Sequence, residues 1–152
     1  MTKMTDYMPI CLKVRNEECL VVGGGNVALR KITVLMKFGA KVICLSPEFL
    51  RQIEQLGKSG RIKCVKGCYS PKISLKKYTL VIAATDDAKV NKRIAADAAR
   101  VKTLVNVVDQ SAPGTVIMPA ILKRPGLVVG VSTSGRSPSR AKKVRDLLSN
   151  AL

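Results

Sequence analysis

The sequence predicts an α/β fold in which a parallel sheet is covered by helices on both faces and followed by a short C-terminal α+β segment. Three observations carry this. Short apolar runs alternate with stretches of helical spacing up to about Asp109. Three consecutive glycines, Gly23-Gly24-Gly25, stand between the first apolar run and the first helical stretch. Beyond Asp109 two further apolar runs are joined by a tight turn with no helix between them. At 152 residues, 47% of them hydrophobic, the chain can bury a core of its own.

Strands are expected at Cys19 to Val22, Lys41 to Leu45, Arg61 to Val65, Thr79 to Ala84 and Thr103 to Val108. Between the first two, Val27, Ala28, Ile32, Leu35 and Met36 recur on one helical face, and Gly39 stands where a helix would stop. Helices are expected over Pro47 to Gln55 and Asp87 to Arg100, the second opening with acids suited to a helix N-terminus. Ile117 to Leu122 and Gly126 to Ser132 read as antiparallel strands around the turn Lys123-Arg124-Pro125-Gly126, an arrangement suited to a subunit contact or the wall of a site. Ser137-Pro138-Ser139 then starts a last helix, a cap residue followed by proline at the first helical position. Ala141, Val144, Leu148 and Ala151 give that basic helix a narrow apolar stripe.

Charge is the strongest compositional fact: 27 Lys and Arg against 10 Asp and Glu, a formal net charge of +17, and no histidine. No acid lies between Glu54 and Asp86, where Lys58, Arg61, Lys63, Lys66, Lys72, Lys76 and Lys77 fall. The same holds between Asp109 and Asp146, with Lys123, Arg124, Arg136, Arg140, Lys142, Lys143 and Arg145. Singly such side chains make a solvated surface; together they favour an anionic partner. Nucleic acid ranks second to a small polyanion, because two Phe, three Tyr and no Trp leave few platforms for bases to stack on. The five cysteines fit reduced thiols, and Cys64 and Cys68 have no second pair and no histidine to complete a metal site. No apolar run approaches the roughly 18 residues needed to span a bilayer, and Met1 to Pro9 lacks a secretory apolar stretch, so a cytoplasmic protein without membrane contact is expected.

Gly23-Gly24-Gly25-Asn26-Val27-Ala28 satisfies the G-x-G-x-x-G/A fingerprint of a Rossmann-like dinucleotide site. Gly23 permits the tight turn, Gly25 lets a pyrophosphate approach the backbone, and Ala28 allows close packing of helix on strand. The acid expected on the ribose is absent. Ser46 ends the second strand instead, followed by Pro47 and Glu48, and a serine bonds a 2′-hydroxyl without repelling a 2′-phosphate, so this position does not separate NAD from NADP. Proton transfer without histidine falls to acids at the carboxyl ends of strands, where ligands of open α/β sheets bind. Thr85-Asp86-Asp87 ends the fourth strand and Asn106-Val107-Val108-Asp109 the fifth. Helix capping accounts for Asp87, and Thr85 and Asp86 are assigned to the cofactor side. Asp109 opens no helix and is the better candidate base, with Asn106 beside it on the substrate side.

The segments VVGGGNVALRK, VIAATDD, VNVVD, IMPAI and VSTSGRSPSRAKKVR follow one another in the order and at the spacings of the precorrin-2 dehydrogenases, enzymes found also as the first domain of siroheme synthases. The resemblance runs from about Met8 to Leu148. It implies NAD-dependent oxidation of precorrin-2, a reduced tetrapyrrole with eight carboxylates, to sirohydrochlorin, with ferrous iron as a substrate of the chelation that some members also perform. Asp109 then matches the aspartate implicated in both steps, and the dinucleotide contacts fall on Gly23, Gly24, Gly25, Asn26 and Val27 and near Pro47 and Glu48. Ser132, Ser134, Arg136, Ser137 and Arg140 would suit substrate carboxylates by charge and position.

The resemblance divides the chain into an NAD-binding domain over 1–112 and a segment over 113–152 that serves dimerisation and the substrate, in an intertwined homodimer whose site uses both subunits. This chain departs from the family pattern in two places. Ser134-Gly135 stands where the family has two adjacent glycines, and the family's further helices lie beyond Leu152, which leaves the covering of the tetrapyrrole and iron insertion open. A non-catalytic dinucleotide sensor and a basic nucleic-acid-binding domain are the competing classes.

Overall fold

The computed structural model describes residues 7–109 and 112–152; Met1 to Asp6, on which part of the N-terminal reading rests, lie outside them. Seven strands and four helices are described. The strands are β1 (Glu18–Val22), β2 (Lys41–Ser46), β3 (Lys63–Lys66), β4 (Leu80–Ala83), β5 (Leu104–Val107), β6 (Ala120–Arg124) and β7 (Leu127–Val131). The helices are α1 (Asn26–Lys37), α2 (Arg51–Lys58), α3 (Ala88–Arg100) and α4 (Pro138–Ala151), and a single 3-10 turn covers Leu75–Lys77. The chain divides into two compact units, Leu12–Thr115 and the described residues of Met1–Cys11 with Val116–Leu152.

In the larger unit β1 to β5 form one parallel sheet in the order β3-β2-β1-β4-β5. The central strands are apolar on both faces, as a sheet covered on both sides requires: Val81, Ile82 and Ala83 of β4 and Cys19 and Val21 of β1 have no exposed surface. Leu20, Val81 and Val105 pack on Ile94 and Ala98 of α3. Each fully buried aliphatic side chain here contributes on the order of 1.5–3 kcal/mol. Asp97, on the same helix, is buried but answered by three donors: the Tyr69 hydroxyl (2.9 Å), Arg93 Nε (3.2 Å) and Arg100 Nη2 (2.8 Å). Burial and this neighbouring carboxylate push the Tyr69 hydroxyl up from its ordinary range, so the phenol stays a donor.

In the larger unit two elements start two or more residues later than the sequence expectation. The helix expected from Pro47 begins only at Arg51, because Leu50 N donates to Gly24 O (2.9 Å) and holds the chain extended up to that point. The third strand starts at Lys63 rather than Arg61, because Arg61 N (3.0 Å) and Ile62 N (3.4 Å) still bond Leu56 O and close the end of α2. Elsewhere α1 stops as expected, with Gly39 at φ +78 and its N–H on Met36 O (3.0 Å).

In the smaller unit β6 and β7 pair antiparallel, Arg124 opposite Leu127, so the turn is Pro125-Gly126 alone rather than Lys123 to Gly126. Proline followed by a glycine at φ +73 suits the left-handed second position of a type II turn. The first strand begins at Ala120, not Ile117, just past Pro119, which has no N–H for a ladder. Ser137 caps α4 as expected, accepting from Arg140 N (3.3 Å). Of the apolar stripe on α4 only Ala141 is buried.

No helix among the described residues is long and apolar enough to cross a membrane. All five cysteines are free thiols. Burial pushes Cys19 up to about 11 and Cys44 up to about 12, whereas Cys11 and Cys68 are exposed. Brief alkylation near pH 8, read by mass spectrometry, is therefore expected to label Cys11 and Cys68 and to spare Cys19 and Cys44 until the chain is unfolded.

Candidate active site

Parallel strands end on one edge, so the turns after β1, β4 and β5 gather there: Gly23 to Gly25, Thr85 to Asp87, and Asp109. The chain winds outward through β2 and β3 on one side of β1 and through β4 and β5 on the other. The β1/β4 pair is thus the switch point at which ligands of open α/β sheets bind. Bonds past the strand ends, Ala84 N to Val22 O (2.8 Å) and Val108 N to Ala83 O (3.1 Å), keep these turns level.

The three glycines have three different surroundings. Gly23 lies at φ +130, its N–H on Leu45 O (2.9 Å), and a Cβ there would collide with the Ala84 carbonyl. Gly24 is closed from the other side, where a Cβ would run into the Glu48 carbonyl and Ser46 Oγ. Gly25 faces open space, with nothing within 4 Å of a built Cβ. It is also the N-cap of α1, where no side chain caps the first turn and no acid stands. Unanswered N–H groups and the positive end of the helix dipole therefore meet open space, which fits an anion such as a dinucleotide pyrophosphate. Ala28 is fully buried beneath this turn, as close packing of helix on strand requires. Asn26 is exposed and Val27 half-buried at the same helix end.

Ser46 is buried with its Oγ against Gly24, which makes it a backing of the glycine turn, while Pro47 and Glu48 are exposed beside it. The Cys44 thiol, kept protonated by burial, donates to Gly23 O (3.2 Å) and fastens the turn from below.

At the ends of β4 and β5 the structure brings Thr85 and Asp109 together through a residue that the sequence reading did not select, Asn91 of α3. Asn91 is fully buried. Its Oδ1 accepts from Thr85 N (3.2 Å) and the Thr85 hydroxyl (2.7 Å); its Nδ2 donates to Thr85 O (3.0 Å) and to Asp109 Oδ2 (2.5 Å). A buried amide left without such partners would cost about 1–3 kcal/mol. Asp87 caps α3, accepting from Lys89 N (2.8 Å) and Val90 N (3.4 Å), which is the role expected of it. Asp86 is exposed on the same turn; Asn106 is buried within β5; Asp109 is exposed at the strand end. The sequence offered one signal for Asn91: it falls with Ile94, Ala95 and Ala98 at i, i+3, i+4 and i+7, a polar amide on the buried stripe of its helix.

In the smaller unit the loop from Ser132 to Ser137 is tightly bonded to itself. Ser134 N donates to Ser132 Oγ (3.1 Å), Ser137 N to Thr133 Oγ1 (2.9 Å) and Arg136 N to Thr133 O (3.1 Å). Ser134 and Gly135 both take positive φ, +53 and +78, so Ser134 adopts the left-handed conformation that non-glycine residues rarely take. Arg136 and Arg140 carry exposed side chains at the start of α4.

Comparison with known proteins agrees with this geometry. The chain is 40% identical over 147 residues to the siroheme synthase of Chromobacterium violaceum, covering 97% of this chain and 31% of that protein. It is 41% identical over 140 residues to the siroheme synthase of Methylobacillus flagellatus, covering 92% and 30%. The chain thus spans about a third of the length of these relatives. Among solved structures it resembles SirC, a precorrin-2 dehydrogenase, with a TM-score of 0.78 and 27% identity over 96% of this chain and 71% of that one. Residues 10–120 match the model of a family described as NAD(P)-binding, and the chain belongs to that family.

Proposed function

We propose that this chain is an NAD-dependent precorrin-2 dehydrogenase, oxidising precorrin-2 to sirohydrochlorin on the way to siroheme. The observation that carries the reading is the position of Asp109, a carboxylate at the end of β5 on the same sheet edge as the glycine turn that ends β1. The likeness to SirC and to siroheme synthases supports the substrate class.

The overall change removes one hydride and one proton from the macrocycle, two electrons in all. When bound, the nicotinamide supplies the hydride acceptor. The first turn of α1 and the open side of Gly25 would hold the pyrophosphate. Pro47 and Glu48, exposed beside the buried Ser46 that backs the glycine turn, would border the ribose, and Thr85 and Asp86 would lie toward the nicotinamide half. Asp109, ionised, takes the proton from the macrocycle and passes it to water. Asn106 supports that strand end.

Arg136 and Arg140, with the hydroxyls of Ser132, Ser134 and Ser137, are assigned to substrate carboxylates. Arg136→Ala is accordingly expected to raise the KM for precorrin-2 about fivefold with little change in kcat, the effect of one exposed ion pair; steady-state kinetics check it. In this reading the chain works as a homodimer. Leu127 and Val128 of β7 and Leu147 of α4 are 41%, 52% and 69% exposed, apolar surface that a second copy would cover. Ferrous iron enters as a later substrate. Its ligands would be the macrocycle nitrogens, with Asp109 taking their protons.

The test is anaerobic incubation of the chain with precorrin-2 and NAD, following NADH and the sirohydrochlorin spectrum. One NADH per sirohydrochlorin is expected. NAD binding without turnover would overturn the dehydrogenase in favour of a dinucleotide sensor.

A further inference from the structure

We infer that Asn91 is a positioning residue for this oxidation: its amide locks the Asp109 carboxylate to the Thr85 turn, so that the proton acceptor is held ionised and at a fixed rotation on the sheet edge. The inference rests on Asp109 being the proton acceptor of the proposed reaction.

The amide has one chemically consistent orientation. Its oxygen meets two donors of Thr85, the N–H and the hydroxyl, and its nitrogen meets two acceptors, the Thr85 carbonyl and Asp109 Oδ2. A flipped amide would set its NH2 against the Thr85 N–H and its oxygen against a carboxylate and a carbonyl. Both acceptor sites and both donor hydrogens of Asn91 are thereby used, and one donor is aimed at the candidate base.

An N–H donated to a carboxylate favours its ionised form, so the contact lowers the pH at which Asp109 takes up a proton. Asp86 and Asp87 in the β4–α3 turn and Lys89 and Lys92 on α3 are all exposed, and β4 (LVIA) and β5 (LVNV) carry no charge. Because Thr85 follows the Ala84 carbonyl that backs Gly23, the same amide joins the base to the backbone beside the glycine turn.

A merely structural Asn91 would cap the Thr85 turn and leave the titration of Asp109 alone. The test is the protonation midpoint of Asp109, read from its carboxyl carbon by NMR in the full chain and assigned with Asp109→Asn. It is accompanied by the pH profile of kcat/KM and by NAD affinity. In Asn91→Ser the midpoint is expected to rise by about half to one unit, the effect of losing one charge-assisted hydrogen bond. The acid limb of kcat/KM should move to higher pH with it and kcat fall about tenfold, while NAD affinity stays within about twofold. Asn91→Asp, close to isosteric, sets a second carboxylate beside the first and should raise the midpoint further; it carries the test if Asn91→Ser does not fold. Midpoints equal to that of the native chain in the folded variants would overturn the inference. Turnover retained by Asp109→Asn would instead overturn the assignment of the base, so the two failures have different signatures.

Discussion

Asp109→Asn is expected to lower kcat for precorrin-2 oxidation roughly a thousandfold, within the range for loss of a positioned general base. NAD affinity should stay within about twofold. The two readouts separate because Asp109 and the glycine turn lie at the ends of different strands on the same edge, and because the site proposed for the cofactor's anion is the uncapped backbone at the start of α1. Asparagine keeps the size of the side chain and one oxygen for the Asn91 amide, so Asn91 and the Thr85 turn need not rearrange. What is lost is the capacity to take a proton. A variant with full activity would move the base elsewhere, and Asp86 would be the next carboxylate to replace, since Asp87 is engaged in capping α3.

Much of this architecture was legible in the sequence for a simple reason: strands buried on both faces read as unbroken apolar runs, and the turns between them carry residues whose backbone demands are specific. Gly23 at φ +130, Gly39 at φ +78, Asp87 as a cap and Ser137 before Pro138 are all local signals, visible without tertiary context. Boundaries set by particular backbone bonds outside the regular elements were not visible. The late start of α2 depends on a bond from Leu50 to Gly24, and the late start of β3 on two bonds back to Leu56.

The site divides in the same way. Asp109 stood out as a candidate because it ends an apolar run without starting a helix. Asn91 could not be assigned, because its role depends on α3 packing its first turns over the ends of β4 and β5, a contact between residues 18 apart in sequence. Ser46 shows the same limit. Its place at the end of β2 suggested a ribose contact, and only the fold reveals that its hydroxyl lies behind Gly24.

The glycine turn separates fold from binding within three residues. Gly24→Ala is expected to lower the melting temperature by about 5 °C or more, because the added methyl meets the backbone carbonyl of Glu48 and overpacking of this kind costs about 1–3 kcal/mol. Gly25→Ala should leave the melting temperature of the cofactor-free chain within about 1–2 °C. Its φ of −93 and ψ of −167 are ordinary extended backbone for any residue, and nothing lies within 4 Å of the new methyl. That open space is the site proposed for the pyrophosphate, so the same methyl should weaken NAD binding about a hundredfold, the upper end of the overpacking cost expressed as affinity. Thermal unfolding with and without NAD reads both effects in one experiment: the native chain and Gly24→Ala gain stability on adding cofactor, whereas Gly25→Ala does not. If Gly25→Ala bound NAD as the native chain does, the pyrophosphate would have to lie elsewhere on the carboxyl edge, and the open N-terminus of α1 would lose its assigned ligand.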